Sequence, residues 1–140
     1  MAELVSFILS AFSQNVPTSN GSIVQQLTAP VIALRPKFVP SEYSFSVTVG
    51  ISGFDLTKDN TIRFVFETPA GTNLVDTGSI SLSGTPHDDT LPDEWQGIVV
   101  TLPIQNTQIE TEGVYHLIVF FNEEQIDSKN IPVYRQSEKK

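Results

Sequence analysis

Residues 43–52 constrain this chain more than any other stretch. Tyr43, Phe45, Val47, Val49 and Ile51 alternate with Ser44, Ser46, Thr48, Gly50 and Ser52. Large apolar against small polar side chains at a strict period of two describes a strand with one buried and one wet face. A helix would scatter those aromatics around its whole circumference. The habit returns at Ile62, Phe64 and Phe66, set against Arg63, Val65 and Glu67, and again at Ile98, Val100, Leu102 and Ile104. Pro69-Ala70-Gly71-Thr72 joins a fixed φ to a residue free to take φ > 0, which is turn chemistry. A further strand is expected after it, over residues 74–82.

Residues 113–121 are apolar on both faces. Tyr115, Leu117, Val119 and Phe121 share one, and Val114, Ile118 and Phe120 share the other. Such a strand belongs in the middle of its sheet or under a covering element. Asn122-Glu123-Glu124 then turns the chain into a last strand around residues 126–134. Residues 23–34 read as extended but broken by Pro30, and Pro36 and Pro40 fix the connection into Tyr43. Proline cannot donate to a ladder, so this stretch belongs on an edge or between sheets. Residues 4–12 fit a helical stripe and a strand alike; they are read as a strand, because the others need an edge partner.

Short strands separated by turn signals, with no long helix, predict an all-β fold, an antiparallel β-sandwich of about seven to nine strands. Gly113-Val114-Tyr115-His116-Leu117 has the layout of a tyrosine corner opening the penultimate strand. Leu117 stands where immunoglobulin domains place their second Cys, so the sandwich is expected to be immunoglobulin-like. The 140 residues make one domain over 1–135 and a disordered polar tail over 136–140.

Charge and cysteine usage narrow the function. The net charge of −8 opposes binding to a phosphate backbone, so nucleic acid is not an expected partner. The absence of Cys removes disulfides, thiol nucleophiles and Cys-ligated metals together. The most apolar run, residues 4–12, is interrupted by Ser6 and Ser10 and falls short of the ~20 residues of a membrane-spanning helix. Glu3 stands where a secretory leader would carry Lys or Arg. A cytoplasmic location without membrane contact is the expectation.

The order of these elements resembles a family of small single-domain bacterial β-sandwich proteins of unknown function. The likeness runs over nearly the whole chain. It consists of the apolar opening strand, the re-entry at Asn20-Gly21, and the crossing bounded by Pro30 and Pro40. It closes with the Gly113-x-Tyr115 strand and a final Pro132-Val133 strand. The resemblance implies a sandwich and carries no catalytic residues.

Four places invite chemistry. Asp76-Thr77-Gly78-Ser79 follows Leu74-Val75, as the catalytic Asp of aspartic proteases follows an apolar strand. That chemistry needs two facing carboxylates sharing a proton, which a symmetric dimer of such a chain could supply, but also a Gly-rich flap and a supporting apolar-apolar-Gly segment, and neither of the last two is visible. Asp76 is therefore read as lying inside the returning strand, near an edge. His87, Asp88 and Asp89, with Asp93 and Glu94 following, could offer oxygen ligands to a hard cation. Their spacing matches no EF-hand, and a solvated acidic loop is the favoured reading. His116 reads as a hydrogen-bonded strand residue. Trp95 is a possible partner contact, although plugging the open end of the sandwich is favoured.

No catalytic or metal site and no cofactor is therefore assigned. The leading expectation is a non-enzymatic binding or structural module acting through protein–protein contacts, including a homodimer. Ile118 and Phe120 are its candidate contacts, because three large side chains side by side need a second cover. A metal-dependent or aspartyl hydrolase using Asp88-Asp89 or Asp76 is the rival, and a phage or virion component is the third reading.

Overall fold

A computed structural model describes residues 2–17, 19, 21, 23–55, 58–82, 89–92 and 95–136, with backbone only at 12–16, 23–25 and 28. Among these residues nine strands follow in chain order: β1 (Glu3–Pro17), β2 (Ile23–Val31), β3 (Ser41–Ser52), β4 (Asn60–Glu67), β5 (Asn73–Asp76), β6 (Ile80–Leu82), β7 (Gly97–Ile109), β8 (Gly113–Phe121) and β9 (Glu124–Val133). They form two antiparallel sheets. The first runs β2-β1-β3-β7 and the second β5-β4-β8-β9, with β6 also on β4. The chain is an all-β sandwich, and among the described residues no helix is long and apolar enough to cross a membrane.

The alternation read in the sequence sets what lies between the sheets. Phe45, Val47, Val49 and Ile51 of β3 are buried against Ile62, Phe64 and Phe66 of β4 and against Tyr115, Leu117, Val119 and Phe121 of β8. Phe66 lies toward one end of this core, with ring centroids 5.4 Å from Phe45 on one side and 5.4 Å from Tyr115 on the other. Phe54 and Phe121, 4.5 Å apart, close the opposite end. Aromatic pairs at these separations bind beyond their buried area.

Residues 4–12 are strand, as expected, and β1 continues to Pro17. β8 is central, between β4 and β9. The stretch around Pro30 also behaves as predicted. β2 is an edge strand, and the chain then crosses to the other sheet, where buried Leu34 forms a parallel bridge with Val133. The Gly-x-Tyr start of β8 has a physical basis. Gly113 sits at φ +143, and a Cβ there would meet Pro69 Cγ at 2.9 Å. Two residues on, the Tyr115 hydroxyl donates to the Thr111 carbonyl at 2.7 Å, the bond of a tyrosine corner. The β8–β9 turn places Asn122 and Glu123 both at positive φ, which matches the right-handed twist of a hairpin.

Three expectations need correction. Residues 74–82 are two short strands, β5 and β6, because the chain kinks at Thr77 and Gly78. Asp76 accordingly ends β5 instead of lying within a continuous strand. Trp95 does not plug the sandwich: it is 63% exposed, while its neighbour Gln96 is buried and donates to the Leu91 carbonyl at 2.9 Å. Gln136, assigned to the tail, is tied down. Its backbone N–H donates to Pro36 and its side chain to the Arg35 carbonyl.

Candidate functional site

The kink after β5 is built from side chains that replace a strand's own bonds. Asp76 Oδ1 accepts from Arg63 Nε at 2.8 Å and from the Gly78 N–H at 2.9 Å, while Oδ2 accepts from Arg63 Nη2. Thr77 keeps the chain on β4, donating its N–H to the Phe64 carbonyl and accepting the Phe64 N–H on Oγ1. The two-pronged Arg63 contact, then the Gly78 amide, hold the Asp76 carboxyl down at about 2. A carboxylate committed to a fork of guanidinium donors and to its own turn is an acceptor with a structural task. Arg63 also lies over the Phe120 ring, 5.1 Å from its centroid.

Among the described residues, no three His, Asp or Glu side chains stand together as a metal-binding group. Asp89 is described and exposed; His87, Asp88, Asp93 and Glu94 lie outside the described residues. His116 faces Asn130 across β8 and β9, its Nδ1 3.0 Å from Asn130 Oδ1, a cross-strand pair as expected. Ile118 and Phe120 are on the outer face of the second sheet and are half-buried, as is Val114. Their cover comes from within the sheet: Val65 is opposite Ile118, and the Arg63 guanidinium caps Phe120. The apolar outer face of β8 is thus partly closed by its own neighbours.

A different apolar surface opens at the base of the β1–β2 hairpin. Phe7, Ile8 and Leu9 of β1, Val31, and Ile32 in the crossing line an open groove of about 840 Å³, with Arg35 among its rim residues. Ile32 is 93% exposed, and Ile8 and Val31 are exposed beside it. Monomeric proteins scatter exposed apolar residues singly; a group around a concavity marks a contact site. Sequence periodicity missed this groove because two stretches far apart in the chain, residues 7–9 and 30–35, form it together with Asn130. One signal does point there: residues 4–34 contain no Asp, Glu, Lys, Arg or His. In a chain of net charge −8, that run sets one hairpin apart from the rest.

Comparison with protein-family models and with curated proteins gives no match.

Proposed function

We propose that this chain is a non-enzymatic, immunoglobulin-like module of the bacterial sandwich family it resembles, working through protein–protein contact, with a second copy of itself as its first partner. The observation that carries the reading is the exposed apolar group of Ile8, Val31 and Ile32 around the hairpin groove. Burying such side chains drives association at roughly 25 cal/mol per Å² of apolar surface, before the costs of ordering are met.

Strand order supports the immunoglobulin-like part. Sheet order β5-β4-β8-β9 corresponds to C′-C-F-G of a variable-type domain, and β1-β3-β7 to A-B-E. Tyr115 then falls on the F-like strand with the corner hydrogen bond in place. The β1–β2 hairpin is the addition to that plan.

Light scattering at micromolar concentration tests the reading. The expected mass is twice 15.4 kDa, falling to 15.4 kDa when Ile32→Lys places a cation in the groove. A wild-type mass of 15.4 kDa throughout the micromolar range contradicts self-association.

A further inference from the structure

Among the described residues the two sheets expose four edges, and three of them carry devices that discourage a new strand. β7 has Pro103 in its middle, without an N–H to donate, and an irregularity where Asn106 turns to φ 54. β9 carries Glu124, Asp127 and Lys129, and its far end is taken by the crossing segment, where the Leu34 N–H donates to Pro132 and the Tyr134 N–H to Leu34. β5 is four residues long, and the kink at Thr77 separates it from β6. Proline, charge, bulges, short strands and covering segments are the known means of blunting an edge. In β2 they begin only at Ala29, with φ 54, and Pro30; the stretch from Ile23 to Thr28 has no proline, no charge and an unbroken register with β1.

The same hairpin is incomplete by itself. β1 pairs with β3 only over residues 3–10, whereas its ladder with β2 runs from Leu9 to Pro17. Beyond Ser10 the hairpin therefore leaves β3 and runs on as a ribbon of two strands. Two strands alone are marginally stable in water, and a third strand changes that.

We propose that the outer edge of β2 pairs antiparallel with β2 of a second copy across a two-fold axis, joining two four-stranded sheets into one. The inference rests on the self-association read above and adds to its groove a second contact, the strand edge that leads away from it. A strand edge is complementary to itself in this arrangement, because the same residues supply the donors and acceptors on both sides. Charge selects the occupant. Copies carrying −8 each repel across most of their surfaces, and the run at residues 4–34 is where they meet without juxtaposed like charges. Gln26, in the middle of the unprotected stretch and itself exposed, falls beside the axis.

The absence of cysteine makes the test direct. Gln26→Cys should form an inter-chain disulfide under mild oxidation, and Asp127→Cys on the β9 edge should not. Gln26→Glu, which sets two carboxylates together at the axis, should lower the scattering mass to 15.4 kDa with an unchanged far-UV spectrum. A dimeric mass that survives Gln26→Glu, with no cross-link formed by the Gln26→Cys variant, overturns the β2 pairing and leaves self-association standing. A wild-type monomer overturns both, and is the result expected if the edge serves another protein's strand instead.

Discussion

The two sheets share one core and differ at their outer faces. The second sheet wears its charge on the strands: Arg63 and Asp76 on β4 and β5, Glu67 on β4, and Glu124, Asp127 and Lys129 on β9. It ties several of them together, Arg63 with Asp76 and Lys129 with Asp127 at 3.3 Å. The first sheet has only Glu3 and Glu42. Its outer side offers small side chains, with Ser46, Thr48 and Gly50 buried among their neighbours and the Thr48 hydroxyl 2.9 Å from that of Thr101. Equal halves inside and unequal halves outside separate the two demands on the sequence. The inner face obeys packing, and the outer face records what each sheet must meet. A charged, ion-paired face is made for water; an uncharged edge with a groove at its base is the surface that we propose meets another chain.

The largest expected effect probes the shared part. Phe66→Ala from the second sheet and Phe45→Ala from the first should each cost about 3–5 kcal/mol in urea unfolding, since both rings are fully buried. Their centroids are 5.4 Å apart, so the double variant should lose less than the sum. If one substitution is nearly silent, the core belongs to one sheet and the comparison fails.

A smaller effect tests how the second sheet is pinned. Tyr115→Phe removes the bond to the Thr111 carbonyl and keeps the ring stacked on Phe66. It should cost about 1 kcal/mol, because Thr111 is exposed and water can replace the lost donor. An unchanged denaturation midpoint would make the corner bond ornamental.

The smallest effect separates the sheets by acid. Asp76 titrates at about 2 in the folded chain, below its ordinary value of about 3.9. A lowered folded value stabilises the fold above pH ~4, and that contribution is lost as the pH falls from about 4 to about 2. Asp76→Asn should flatten stability in this window and leave the neutral-pH fold intact, since the pair is half-exposed and screened. Glu3→Gln and Glu42→Gln in the first sheet serve as the paired controls. An identical acid profile for Asp76→Asn and the wild type would mean that the Arg63 contact holds nothing.

The shared core was legible in the sequence and the unequal faces were only partly so. Residues 43–52 and 62–66 declare their inner faces through alternation, and apolar residues on both faces of 113–121 place β8 in mid-sheet. The break between β5 and β6 carries no such mark. Leu74, Val75, Ile80 and Leu82 read as one strand, whereas the kink comes from bonds by Asp76 and Thr77 that no period encodes. Trp95 misled for a related reason: its size argues for burial, but the buried neighbour is Gln96, held through a hydrogen bond. The hairpin groove arises from residues distant in the chain. Its legible trace is the missing charge, a signal that periodicity does not read.

The central claim is that the uncharged hairpin edge, and no charged edge, meets a second chain. Amide hydrogen exchange at low and high protein concentration tests it most directly, because exchange reports the opening of individual backbone bonds. Protection over Ile23–Val31 should rise with concentration while Glu124–Val133 stays unchanged. Protection that is independent of concentration in β2, or that rises in β9 instead, would contradict the claim.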